Sequence, residues 1–131
     1  MVRKSVVAKL VATKRWSNST ASAFERAGHK CEYCDFDLLA SVDALKLMEV
    51  DHIVPLSKGG DPTDPENLAI ACRHCNFYLK RNWDPRTADG EPASRTELIA
   101  AVKRYVTGLR GKRIEYLDQI REIVGYPHSH I

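Results

Sequence analysis

The chain has 131 residues, 44% apolar and 28% charged, with a formal net charge of +3. That is long enough for one modest core and ordinary for a globular protein. No apolar stretch approaches the roughly 20 residues that cross a bilayer, and Met1 to Leu10 carries Arg3, Lys4 and Lys9 without the apolar segment of a secretion signal.

In chain order, Val6, Val7, Leu10 and Val11 follow helical spacing, and Ser17 to Ser19 breaks the run. Thr20 or Ser22 then caps a second helix, with Glu25 closing a Ser-x-x-Glu box and Gly28 ending it before Cys31. Lys46 to Pro55 reads as a strand, because Leu47, Met48, Val50, Ile53 and Val54 suit one and Pro55 stops it. Gly59-Gly60, Pro62 and Pro65 make a loop, and Leu68 to Ala71 form a second short strand. A helix is expected from Cys75 to Lys80. Ser94-x-x-Glu97 caps a last helical region with an apolar face of Leu98, Ile99, Val102, Tyr105, Val106 and Leu109. Gly108 and Gly111 are expected to interrupt it before Ile114, Leu117, Ile120 and Val124, as a kinked helix or a helical hairpin packed on the core. The face also admits self-association, which leaves a monomer or weak homodimer.

Charge is unevenly placed. Residues 1–30 hold seven Lys/Arg against Glu25 alone, residues 31–72 hold nine acids against Lys46 and Lys58, and the remainder is again basic. A basic arm beside an acidic middle suits binding of backbone phosphate next to a cation site, and equally a solvated terminus.

The strongest signal is the cysteine arrangement. Cys31-Glu-Tyr-Cys34 and Cys72-Arg-His-Cys75 each place two thiols one tight turn apart. Without export, such pairs read as metal ligands rather than disulfides. Four thiolates fill a tetrahedral zinc sphere and leave no open position, so this zinc is expected to be structural. Between and beside the pairs lie Asp51-His52, Asn67 and Asn76, hard-oxygen and imidazole groups suited to a second, catalytic cation.

Cys31-x-x-Cys34, Val50-Asp51-His52-Ile53-x-Pro55-x-x-x-Gly59-Gly60, Asn67-Leu68 and Cys72-x-x-Cys75-Asn76-x-x-x-Lys80 together resemble the HNH endonucleases, over about Arg26 to Asp84. Each fragment alone is weak; their order with Gly-Gly between the halves is specific. The resemblance implies an α+β fold, a small ββα-metal, treble-clef-like core stapled by the four cysteines and flanked by helices. The expected single domain comprises a basic extension (1–20), the core (21–86) and a C-terminal helical extension (87–131).

The resemblance also implies roles. His52 corresponds to the general base, a role imidazole suits near neutral pH. Asp51 corresponds to a ligand of the catalytic cation. Neighbours on a strand face opposite ways, so a strand end or bulge is expected at this dipeptide. Asn67 matches the central Asn, holding the loop and orienting His52. Asn76 stands where the family signature has its last His; an amide oxygen favours magnesium or manganese over a tightly His-bound transition metal, with nickel or another divalent ion as the alternative.

The implied activity is metal-dependent hydrolysis of DNA phosphodiester bonds, on double-stranded DNA and in the cytoplasm. The rival reading is a non-catalytic zinc module that binds nucleic acid. Arg73, His74, Lys80 and Arg81 are candidate phosphate contacts, or else simply solvated; His29, His128 and His130 read as surface. Tyr33, Phe36, Phe77 and Tyr78 are expected in the core, with base stacking as the alternative.

Overall fold

The computed structural model describes residues 5–127, so Arg3, Lys4, His128 and His130 lie outside it. Two five-residue strands hold the centre. β1 (Met48–His52) and β2 (Leu68–Cys72) pair antiparallel in one register from Met48↔Cys72 to His52↔Leu68, without a bulge. Both strands fall inside or beside the expected runs, and His52 is the last residue of β1.

A two-stranded sheet is marginal in water and must be covered. Ala69, Ile70 and Ala71 are fully buried, within a core that also takes in Phe24, Leu38, Ile53, Leu79, Val102 and Val106. The outer edge of β2 is closed by other segments. Ile70 and Glu32 exchange backbone and side-chain hydrogen bonds, both 2.8 Å, while Arg26 and Arg95 donate to the Leu68 carbonyl at 2.6 and 2.9 Å. Those bonds satisfy an edge that would otherwise invite another strand.

Three helices precede or lead into the sheet. α1 (Val6–Ala12) packs on α2 (Asn18–Ala27), whose Ala21, Ala23 and Phe24 are buried. The expected cap at Thr20 or Ser22 is corrected to Ser17, whose hydroxyl accepts from the Thr20 amide at 3.1 Å. Ser17 comes first because it precedes the apolar face by the full cap offset, which places Thr20 and Ser22 inside the helix. Gly28 ends α2 in the left-handed region, φ +66°, as expected. α3 (Val42–Lys46), capped by Ser41, was not anticipated; five residues give too little periodicity to read.

After β1 the chain loops out and returns through Asn67. Its side chain accepts from the Val54 amide (2.8 Å) and donates to the Val54 carbonyl (3.0 Å), and its carbonyl accepts from the Ile53 amide (2.8 Å). Gly60 passes so close that a Cβ there would overlap the Val54 carbonyl and sit 3.0 Å from the Asn67 amide nitrogen. Gly59 turns with φ +87°. The Gly-Gly pair is therefore a fit requirement around Asn67.

β2 leads into a π-helical turn, His74–Lys80, in place of the expected α-helix start. The Arg81 amide closes it on the Asn76 carbonyl at 2.8 Å, with Arg81 itself at φ +52°. Finally, α4 (Arg95–Val124) runs unbroken for 30 residues, about 45 Å, behind the expected Ser94–Glu97 capping box. The expected interruption at Gly108 and Gly111 does not occur. A glycine in a helix interior costs only about 1 kcal/mol, less than cap and packing supply.

The apolar face of α4 divides. Val102 and Val106 are fully buried, and the Tyr105 ring stacks on Trp83 at 4.1 Å. Ile114, Leu117, Ile120 and Val124 are exposed, which corrects the expectation that they pack on the core; the helix outruns the body.

Replacing Gly108 or Gly111 with alanine, both in open space, is expected to raise stability by about 0.5–1 kcal/mol each. Gly60→Ala is expected to lower it by about 1–3 kcal/mol. Urea denaturation measures all three, and a Gly60→Ala protein as stable as its parent would contradict the packing around Asn67.

Candidate metal centre and active site

The two Cys-x-x-Cys segments meet face to face. Cys31–Cys34 is a turn in which the Asp35 amide donates to the Cys31 carbonyl (2.8 Å) and the Cys31 amide to the Phe36 carbonyl (2.9 Å). The second pair spans the end of β2 and the first residues of the π turn. All four sulfurs lie within 4.8 Å of one another, and Cys34 Sγ is 3.7 Å from Cys72 Sγ. A tetrahedron with metal–sulfur bonds of about 2.3 Å has edges of roughly 3.8 Å. The four cysteines are thus positioned to hold one metal ion, and their chemistry suits structural zinc.

The surroundings support thiolates. The Tyr33 amide donates to Cys31 Sγ (3.4 Å) and the Cys75 amide to Cys72 Sγ (3.5 Å). Arg110, from α4, donates to Cys75 Sγ at 3.3 Å and Cys72 Sγ at 3.7 Å. A guanidinium there offsets part of the negative charge of four thiolates around one divalent ion.

The same turn carries Tyr33 inward. It is 1% exposed and its hydroxyl donates to Asp51 Oδ2 at 2.6 Å. Burial, followed by the Asp51 charge, raises the Tyr33 pKa well above its ordinary value, so it remains a donor. Lys80, from the end of the π turn, reaches the same oxygen at 3.0 Å and also donates to the His52 carbonyl at 3.2 Å. Burial is the largest influence on Asp51 and raises its pKa; Lys80 and then Tyr33 oppose that shift. Both partners act on Oδ2, which leaves Oδ1 for another cation.

Asp51, His52 and Asn76 line one cleft of about 560 Å3, together with Val50, Phe77, Tyr78, Arg81, Asn82 and Arg113. Asn76 is oriented by Glu49: Nδ2 donates to Glu49 Oε1 at 2.9 Å, while Glu49 Oε2 accepts from Arg73 at 3.0 Å. With the amide nitrogen committed to a carboxylate, the Asn76 oxygen is the end left free.

Asn67 stands apart from the cleft, bound to Ile53 and Val54 rather than to His52. Its hold on the His52 side chain is indirect, through the two residues that follow it. Of the candidate phosphate contacts, Arg81 lines the cleft, Arg73 is exposed beside it, and His74 lines an adjoining groove with Phe36, Leu47 and Arg110, its ring edge-on to Tyr78 at 6.4 Å. Lys80 is corrected: 1% exposed and paired with Asp51, it has no surface to offer a phosphate.

Phe36, Phe77 and Tyr78 are also corrected, since all three are exposed and only Tyr33 enters the core. The tight cysteine turn and the π turn present them outward. Glu49, Arg110 and Arg113 were missed. Glu49 had a signal, since it stands two residues from Asp51 on the same strand face; nothing local marks the two arginines.

Residues 31–78, somewhat over a third of the chain, match the model of the HNH endonuclease family. No curated protein and no solved structure matches the chain. The paired strands, the following helical turn and the four-cysteine cluster agree with an HNH ββα-metal core. The segment accordingly points to nuclease or nucleic-acid-binding function. No helix among the described residues is long and apolar enough to cross a membrane.

Tyr33→Phe is expected to lower stability by about 1.5–3 kcal/mol, the range for a hydrogen bond to a charged group, with zinc content unchanged. Cys75→Ser is expected to lose both the metal and the fold. Metal analysis with circular dichroism reads both, and a folded, metal-free Cys75→Ser protein would remove the structural role of the site.

Proposed function

We propose that this chain is a metal-dependent HNH endonuclease that hydrolyses DNA phosphodiester bonds. The observation that carries the reading is the convergence of Asp51, His52 and Asn76 on one cleft, within a segment that matches that family. The donor set fits a hard divalent cation, magnesium or manganese: one carboxylate oxygen from Asp51 and one amide oxygen from Asn76. When bound, such a cation would supply positive charge beside a non-bridging phosphate oxygen and the leaving 3′ oxygen.

His52 takes the proton from the attacking water. The last rung of the sheet and the Lys80 bond to its carbonyl fix its backbone. That restraint holds the imidazole to the cleft while its neighbour Asp51 turns toward Lys80. Lys80 and Tyr33 steady the Asp51 carboxylate, and Glu49 sets the amide of Asn76. Arg81 and Arg113 give the cleft its positive rim for phosphate. DNA is the proposed substrate, with 5′ phosphate and 3′ hydroxyl ends as products.

The non-catalytic reading keeps the zinc, the arginines and the buried Asp51–Lys80 pair but gives the His52 ring and the free Asn76 oxygen no task. Plasmid nicking separates the two. His52→Ala is expected to lower nicking by at least about a hundredfold, the range for losing a general base, while zinc content and DNA binding stay near the parent's. EDTA in excess of the catalytic ion is expected to stop the parent as well. Near-parental nicking by His52→Ala, or none by the parent in magnesium, manganese or nickel, would overturn the proposal.

A further inference from the structure

Two aromatic side chains stand in the cleft without the burial that ordinarily justifies them. Phe77 is 54% and Tyr78 50% exposed, yet both line the same cleft as Asp51, His52 and Asn76. Single exposed aromatics are common on protein surfaces. Here two neighbours meet edge to face, ring centres 5.0 Å apart, directly after Asn76. Each also has a guanidinium over it: Arg73 lies 4.3 Å from the Phe77 ring centre and Arg113 lies 5.5 Å from that of Tyr78.

The π turn makes this possible. Its wider turn spreads successive residues over a smaller angle than an α-helix does, so Asn76, Phe77, Tyr78 and Arg81 share one cleft. Arg113 comes from α4, beyond the residues that match the family.

Rings interleaved with arginines in a positively charged groove are the chemistry that holds unpaired nucleotides. A base stacks on the ring surface that the guanidinium leaves open, about half of each side chain here, and Arg81 in the same cleft takes the adjoining phosphate. Within a duplex, both faces of a base are already covered by its neighbours. We propose that Phe77 and Tyr78 form a stacking platform for an unpaired deoxynucleotide beside the scissile phosphate, so that the preferred substrate is DNA with locally unpaired bases. The proposal rests on the endonuclease reading for the place of the scissile phosphate, while the stacking itself is measurable without cleavage.

The test uses the full chain carrying His52→Ala, which prevents turnover, and oligonucleotides containing 2-aminopurine, either single-stranded or fully paired. The single strand is expected to bind about tenfold tighter than the duplex, with quenching of 2-aminopurine fluorescence. Adding Phe77→Leu and Tyr78→Leu keeps the apolar bulk but removes the ring faces. That protein is expected to lose the quenching and about tenfold in single-strand affinity, with zinc retained. Phe77→Trp and Tyr78→Trp are expected to keep both.

Equal quenching by the Leu pair, or a preference for the duplex in the starting protein, would overturn the platform. Nicking by the parent without quenching would sink the platform alone. Quenching without nicking would sink the hydrolytic reading alone.

Discussion

The sulfur cluster is the contact on which the rest of the structure depends. Cys31 and Cys34 lie in a loop, while Cys72 and Cys75 close a strand and open a helical turn, and the sulfurs meet within 4.8 Å. The two Glu32–Ile70 hydrogen bonds to a two-stranded sheet are a marginal tie between those segments at this chain length. Metal binding to such a set contributes folding free energy directly, because the unfolded chain has no site of this kind. The consequence reaches past the metal: the turn that presents Cys31 and Cys34 also carries Tyr33 to Asp51, and the turn that presents Cys75 carries Asn76 and Lys80.

A second constraint is electrostatic. Asp51 is nearly buried and Lys80 wholly so, 3.0 Å apart. A buried pair of this kind is poor evidence of net stabilisation, but removing either partner leaves an uncompensated charge in the core. The pair therefore locks the end of β1 to the end of the π turn. It also spends Lys80, one of the basic residues beside the cleft, on structure, which leaves Arg81 and Arg113 to face solvent there.

Much of this was legible in the chain itself. Cysteine spacing announced the metal site, because a Cys-x-x-Cys turn has few other uses in pairs. The β1 and β2 runs stood out by composition, and Ser94 and Glu97 by the capping box. Side-chain direction was the part that periodicity could not supply. Lys80 sits at a helix end, where a lysine ordinarily reaches water, and the buried Asp51 carboxylate and the His52 carbonyl opposite draw it inward. Phe77 and Tyr78 look like core residues in a one-dimensional pattern, and the π turn that faces them outward has no sequence signature of its own. Gly108 and Gly111 mark a break only when cap and packing are weak, and here the helix continued through them.

The most direct test of two distinct metal positions is anomalous diffraction from crystals of the zinc-containing protein soaked in manganese. The expected map carries a zinc signal among the four sulfurs and a separate manganese signal between Asp51 and Asn76. Manganese absent from that cleft at saturating concentration, or found only among the sulfurs, would contradict the account.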